Sequence, residues 1–507
     1  MKKILISVNP WETRAAILDG NQLQNIYVST NAVKQIERSF FKGVVTKVLP
    51  GIQTAFVDIG QEKAGFLHIS EIDRELALAR MQDTIALDDE VEEERVEEPP
   101  QRRQSLDIGK ILQEGEPILV QVCKEPVYEK GAKLTTCFTL PGRFIVLLPN
   151  IPRIGISKKI DNKEERQRLK QIILSNLPDS MGAIIRTSSL NREEKEIKQD
   201  LTFLVQTWHT ILDAYAKAKA KEKIHEDLPL SLAVVRDYLD EDVESVITND
   251  KKNQQELYAF IKNIAPEYVL KIKLFNEPPL LFPHFGIDKQ IESALEKKAP
   301  LRSGGSIIVE TTEAMTVIDV NTGKYTGKNN MEETILQTNL EAAEEIVRQL
   351  KLRNIGGLIV IDFIDMSLAH NRQKLYRFLE QTLREHDKYQ SVVLKVSEFG
   401  LVQMTRKRTG KTLIQQLTQS CSVCHGRGVI RSLFMISNTV LQNLKLSLLE
   451  STKGAQVTLT IHPDLFEHLV NIEYNSILSL EKQFQCTITL VSSPHVARES
   501  NQAHIKT

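Results

Sequence analysis

The residues best spaced to do chemistry lie between positions 304 and 366. In "SIIVETTEAMTVIDVNTG", read as two strands joined by a turn, Asp319 and Asn321 stand two apart on the second strand and share a face. "IGGLIVIDFIDM" reads as a strand apolar on both faces, hence buried in a sheet, that ends at Asp362 and Asp365. Between them "NNMEETILQTNLEAAEEIVRQLKLRN" predicts a helix, with Asn330 as N-cap, Glu333 three residues on, and Leu336, Leu340, Ala343, Val347 and Leu350 in one apolar stripe. A strand-helix-strand unit lays its strands parallel with their C-terminal ends together, so Asp319 and Asp362 should reach one sheet edge, where open α/β sheets hold ligands. Two adjacent carboxylates with no cationic neighbour call for a metal, and oxygen ligands favour Mg²⁺ or Mn²⁺. An aspartate closing a strand can also merely cap the next turn, and that reading is preferred for Asp365.

A second constellation is "SCSVCHGRG" at 420–428, in which Cys421 and Cys424 supply half of a tetrahedral zinc site. Cys123, Cys137 and Cys486 are scattered singly and complete nothing. A redox dithiol, two uncoordinated cysteines, and a metal shared between two copies of the chain all remain open. A redox pair belongs at a helix start, whereas Gly426 and Gly428 mark a knuckle turn. A third group is Arg186-Thr187 in "MGAIIRTSSL", where a forked guanidinium and a hydroxyl suit phosphate oxygens, although such a dipeptide usually just ends a strand. His284, among apolar and aromatic residues, reads as a structural histidine.

These groups need several domains to carry them, and 507 residues exceed what one core normally serves. A hydrophobic fraction of 41% and a charged fraction of 26% are those of a soluble globular protein. No segment has the length and apolarity of a membrane span, and no signal peptide is evident, so a reducing, cytoplasm-like compartment is expected. The net charge of -1 hides an uneven distribution: eight acidic residues crowd between Asp88 and Glu98, a pattern expected of a solvated loop. The remainder is basic, with "SKKI" and "TRKRTGK" as clusters, which permits a nucleic-acid partner. Short alternations from Phe41 to Ile72, broken by Pro50-Gly51, Gly60 and Gly65, predict a small barrel whose acidic run is a loop before the strand 115–125. Helices are expected over 163–174, 192–225 and 255–275.

The phrase ending "GFLHISE" resembles the S1-type OB-fold. On such a barrel Phe56 and Phe66 would stack on bases, His68 would add to the surface, and Lys124 would meet a phosphate. With "IIRTS", "SGGSIIVETTEAMTVIDVNTG", "TNLEAAEEIVRQLKLRNIGGLIVIDFIDM", "SEFGLVQMTRKR" and "CSVCHGRG" in that order, about the first 430 residues resemble the ribonuclease E/G family. The chain stops without a long disordered tail and so looks like the shorter, ribonuclease G-like type, with no scaffold for partner enzymes.

The resemblance implies a Mg²⁺-dependent endoribonuclease that cuts single-stranded RNA to 5'-phosphate and 3'-hydroxyl ends, is stimulated by a substrate 5'-monophosphate, and acts in rRNA and tRNA processing and mRNA decay in a bacterial cytoplasm or a plastid. Asp319 and Asp362 match the metal-holding aspartates, Asn321 the residue that orients them, Arg186 and Thr187 the 5'-monophosphate pocket, and Cys421 and Cys424 a zinc link shared between two chains of a homodimer or homotetramer. Ser422 stands where the family usually has proline, so a looser turn with both thiolates kept is expected.

The implied architecture is multidomain α/β plus a β-barrel. An RNase H-like subdomain comprises 1–38 and 232–294, around an S1-type OB-fold at 39–130 (acidic loop 87–100) and a 5'-sensor region at 131–231. A DNase I-like catalytic subdomain at 295–417, the zinc link at 418–429 and a small α+β assembly domain at 430–507 follow. A non-catalytic RNA-binding protein is the rival reading, but a pure binder has no use for two carboxylates at a sheet edge. A zinc-linked structural oligomer leaves Arg186-Thr187 and Asn321 unexplained.

Overall fold

In the computed structural model the described residues are 1–30, 36–73, 107–126, 131–157, 159–278, 280–322, 331–408, 410–449, 454–498 and 501–506. The acidic run 87–100 and Asn330 lie outside them. The chain divides into two compact units, 1–417 and 418–507.

The opening strands Lys2–Val8, Glu12–Asp19 and Gln22–Thr30 form an antiparallel meander whose sheet is completed from far along the chain. Val243–Thr248 pairs parallel with Lys2–Val8, and Ile272–Leu274 pairs parallel with Val243–Thr248. Alternate side chains of one strand serve both faces: Ile4 and Ile6 pack with Val234, Val235, Leu257 and Ile261, while Leu5 packs with Leu281, Ile287 and Ile291. The helix expected over 255–275 is shorter. It spans Lys251–Ile264, because Pro266 cannot continue its hydrogen bonding, and a 3₁₀ turn then leads into Ile272–Leu274. The helix expected over 192–225 is Glu194–Lys217, and Lys223–His225 becomes a strand against Phe40 and Phe41. The helix Lys163–Leu174 forms as expected.

The chain segment between the two halves of that sheet builds a closed five-stranded barrel of the OB kind, made of Phe40–Leu49, Thr54–Asp58, Gly65–His68, Lys133–Thr135 and Pro117–Lys124. Pairing of Phe40–Leu49 with Pro117–Lys124 closes it around Val45, Val57, Leu67, Val120, Val122 and Leu134. Gly43 is obligatory, since a Cβ there would come within 2.4 Å of Val57. Two β-bulges interrupt the ladder, between Val45 and Lys47 and between Val122 and Lys124.

The last sheet of the first unit runs in the order Lys298–Pro300, Ser306–Thr311, Met315–Asn321, Gly357–Asp362, Leu401–Arg406, Ser391–Val393. Only Met315–Asn321 and Gly357–Asp362 are parallel, joined by the helix Met331–Leu352, as the strand-helix-strand reading requires. That helix and Ala369–His386 pack together on one face, over Ile318, Val320, Ile359 and Ile361. Contrary to expectation, Gly357–Asp362 is buried on a single face. Leu358 on the other is 42% exposed, because the sheet has no second layer of helices among the described residues.

In the second unit Gln456–Ile461 pairs parallel with Thr487–Ser492 and antiparallel with Asn501–Lys506. The helices Leu433–Leu449, Pro463–Asn471 and Tyr474–Phe484 share its core.

Candidate active site

Asp319 stands directly opposite Asp362 in the parallel register, at the C-terminal ends of both strands. In Met315–Asn321 the buried positions are Thr316, Ile318 and Val320, so Asp319 and Asn321 face away from the helices; Asp362 does the same on its strand. The Asn321 amide donates to Asp319 Oδ2 at 2.7 Å, which fixes the rotamer of that carboxylate. Burial raises the Asp362 carboxyl above its ordinary range, and the negative charges of Asp319 and Asp365 raise it further. Asp365, expected only to cap a turn, therefore contributes charge to the site. The Asp319 and Asp362 carboxylates, with the charge of Asp365 acting on Asp362, offer the oxygen chemistry that suits a hard divalent ion. No group of three or more His, Cys, Asp or Glu side chains converges closely enough to hold a metal among the described residues, so protein ligation there would rest on the pair.

Arg186 follows the strand Gly182–Ile185 and precedes the 3₁₀ turn Thr187–Ser189. Its guanidinium donates to the Gly142 carbonyl and forms an ion pair with Asp237 at 2.9 Å. Burial favours the neutral form of Asp237, but Arg236 and Arg186 outweigh it and hold that carboxyl well below the usual range. The loop bearing Gly142 is itself fastened by Asp200, which is buried and accepts from the amides of Arg143, Phe144 and Ile145 at 3.1, 2.8 and 3.2 Å. Thr187 is exposed, with its hydroxyl 3.0 Å from that of Ser157. Arg186 and Thr187 thus come together with an exposed hydroxyl pair. Asp237, from the helix Leu230–Tyr238, is the orienting partner, and no motif in the sequence marks it.

On the barrel, Phe56 and Phe66 are cross-strand neighbours, both half-buried on the outer face. Lys47 stands opposite Phe56, Lys133 opposite Phe66, and Lys124 opposite Lys133. The result is one row, Lys47, Phe56, Phe66, Lys133, Lys124, crossing five strands. Lys133 is held by Glu71, whereas Lys47 and Lys124 are exposed. Lys47 and Lys133 escaped the sequence reading because the row exists only once the barrel closes. His68 is engaged locally: its Nδ1 accepts from the Ser70 amide at 3.2 Å and caps the next turn.

In the second unit the amide of His425 donates to the Cys421 carbonyl at 2.8 Å and that of Arg427 to the Cys424 carbonyl at 2.9 Å. His425, Gly426 and Gly428 have φ of 49°, 84° and 73°. This is a knuckle turn, and the next helix begins only at Leu433, so the cysteine pair does not open that helix. Amides of Cys424 and Val423, together with the Cys424 thiol, draw the Cys421 thiol below its ordinary pKa. That favours the thiolate form of Cys421, the form in which a cysteine binds a metal. His284 packs edge-on between Phe275 and Phe285, with ring centroids 5.0 Å from each.

No helix among the described residues is long and apolar enough to cross a membrane. Residues 139–409 match the model of the Ribonuclease E/G family, and residues 420–506 match that of the RNase E/G thioredoxin-like domain. The chain is 36% identical to ribonuclease G of Escherichia coli (strain K12) over 443 residues, 87% of each chain. It is 35% identical to ribonuclease G of Haemophilus influenzae over 483 residues, 95% of this chain and 94% of that one. With ribonuclease E of Escherichia coli (strain K12) it shares 33% identity over 510 residues, 100% of this chain and 46% of the longer relative.

Proposed function

The chain belongs to the ribonuclease E/G family and is an endoribonuclease, and we propose that it cuts single-stranded RNA with the Asp319–Asp362 pair as a Mg²⁺ site, leaving 5'-phosphate and 3'-hydroxyl ends. The observation that carries this reading is the opposition of the two carboxylates across adjacent parallel strands, on the open face of the sheet. Mg²⁺ bound there, with Mn²⁺ as a substitute, would polarise the scissile phosphate and acidify a water for in-line displacement of the 3'-oxygen. Asn321 orients Asp319 by holding one of its oxygens. The row of two phenylalanines and three lysines receives unpaired bases on its rings and phosphates on its ammonium groups.

A 5'-monophosphate would meet Arg186, pre-aligned by Asp237, and the hydroxyls of Thr187 and Ser157. Such an end speeds cleavage by holding the substrate at a second point. Cys421 and Cys424 take half of a zinc, with the same pair of a second copy as the other half, in a homodimer or homotetramer. The cellular setting that fits is processing of rRNA and tRNA and decay of mRNA in a bacterial cytoplasm.

The test is cleavage of a short, unstructured, A/U-rich RNA with Mg²⁺ or with chelator, comparing 5'-monophosphate and 5'-hydroxyl ends. Metal-dependent cutting that is faster on the monophosphate is expected. Asp319→Asn should abolish cutting while leaving RNA binding and assembly intact. Retained cleavage in that variant overturns the site, and tight binding without cutting in any divalent metal favours a non-catalytic RNA-binding role.

A further inference from the structure

The chain leaves the sheet at Asp362 and runs through Phe363 to Leu368 before the helix Ala369–His386 begins. This turn carries Asp365 and fixes where the Asp362 carboxylate points. Beyond the strand its backbone amides and carbonyls have no ladder partner to rely on. Phe363 still donates weakly to the Gly400 carbonyl at 3.4 Å, but the next residue is held by a side chain. Asn339, in the middle of the helix Met331–Leu352, receives the Ile364 amide on its Oδ1 at 3.1 Å and donates from its Nδ2 to the Ile364 carbonyl at 2.8 Å. One side chain thus supplies both bonds that a neighbouring strand would have made.

Asn339 is 0% exposed and sits in a helix whose buried residues are mainly leucine, isoleucine, valine and alanine, with Thr338 and Gln349 as the other polar ones. A buried amide in such a place is unfavourable unless its polar atoms are satisfied, and here both are used on the same residue. Two further contacts act on the same turn. Glu332, in the first turn of the helix that carries Asn339, accepts from the amides of Ser367 and Leu368 at 3.4 and 3.0 Å. Gly400 has a φ of +74°, and a Cβ there would come within 2.6 Å of the Phe363 carbonyl and 3.2 Å of Asp365 Oδ1. Opposing these restraints is the repulsion of Asp362 by Asp319 and by Asp365.

We propose that Asn339 is a positioning residue for the carboxylate pair: its two-point grip on Ile364 keeps Asp362 beside Asp319 against their repulsion, so that the metal meets a site already formed. The inference rests on the metal reading of Asp319 and Asp362, and deepens it by naming what assembles the site before the ion arrives. Residues that hold metal ligands in place set affinity without touching the ion, and their loss typically weakens binding by about 10- to 100-fold.

The experiment measures Mn²⁺ binding to the full chain without RNA, from loss of the free Mn²⁺ electron-spin-resonance signal. Parent, Asp319→Asn, Asn339→Leu and Asn339→Ser are compared. Leucine has the branching and heavy-atom number of asparagine but cannot bond Ile364; serine, tolerated in a helix by bonding its own backbone, cannot reach it and serves if leucine prevents folding. Both Asn339 variants should bind Mn²⁺ at least about tenfold more weakly than the parent. Their affinity for RNA in chelator should be unchanged, and excess metal should restore part of the cleavage rate. Mn²⁺ affinity within twofold of the parent in a folded Asn339 variant overturns the positioning role while leaving the metal site standing. Mn²⁺ binding that Asp319→Asn fails to weaken overturns the metal site itself, and the positioning role with it.

Discussion

Removing the rings of Phe56 and Phe66 should weaken RNA binding by an amount that the barrel row sets. Each ring lies on the outer face opposite the other, flanked by Lys47 on one side and Lys133 on the other, so a strand crossing the row offers one base to each ring. Stacking of a base on an aromatic side chain contributes about 1–3 kcal/mol, which converts to about 5- to 150-fold in affinity per ring. Phe56→Ala and Phe66→Ala should each fall in that range, and the double variant should lose at least about 25-fold. The cross-strand pair itself contributes only about 0.2–1 kcal/mol to the fold, too little to unfold the barrel. The assay is fluorescence anisotropy with a short labelled RNA in chelator, repeated over a range of salt. Lys47→Ala and Lys124→Ala should each flatten the logarithmic salt dependence by about 0.7, one phosphate apiece, a change that the phenylalanine variants should not make. Val57→Ala, inside the barrel with 0% exposure, is the control for destabilisation alone. Phenylalanine variants that bind within twofold of the parent while remaining folded would refute the stacking row.

Asp237→Asn should reduce the preference for 5'-monophosphate over 5'-hydroxyl RNA, measured as the ratio of kcat/KM values, because Arg186 loses its 2.9 Å partner. The same variant has a pH signature. Asp237 is held below its unfolded pKa of about 4, so its stabilisation is fully present above that pH and is lost as pH falls through the lower folded value. Thermal unfolding should therefore show the deficit of Asp237→Asn at pH 7 and a shrinking deficit below about pH 4. For the cysteine pair, elemental analysis should find about half a zinc per chain, and Cys421→Ser should lose both the metal and the assembly that depends on it. One full zinc per chain would contradict sharing between copies.

The geometry of the aspartates was legible because it follows from local periods and a handedness rule. Residues two apart on Met315–Asn321 share a face, an amphipathic helix follows, and the crossover makes the next strand parallel. The same reasoning assigned too much burial to Gly357–Asp362, because a run of apolar residues reads alike whether one face or two are covered; Leu358 is the residue that tells them apart. What joins distant segments was not legible. Nothing in the residues of Lys2–Val8 themselves shows that Val243–Thr248 will lie beside it, since the expectation that 1–38 and 232–294 belong together comes only from the family resemblance, and nothing in "RDYL" marks Asp237 as the partner of Arg186. Asn339 was passed over for a related reason: a polar residue within a helix looks like part of its wet side until the sheet it faces is known.

The two bulges in the barrel bear on how related chains can vary. Val45 points inward, and in an unbroken strand Lys47, two residues on, would point inward with it; Thr46 is the extra residue that turns Lys47 out to face Phe56. Cys123 does the same between Val122 and Lys124. Deleting Thr46 or Cys123 would thus straighten the strand yet leave the lysine beyond it on the same side and opposite the same partner. A one-residue deletion at either of these two points should therefore keep the facing of the rest of the strand, whereas an insertion or deletion elsewhere in those strands would exchange inside for outside along the remainder of the strand.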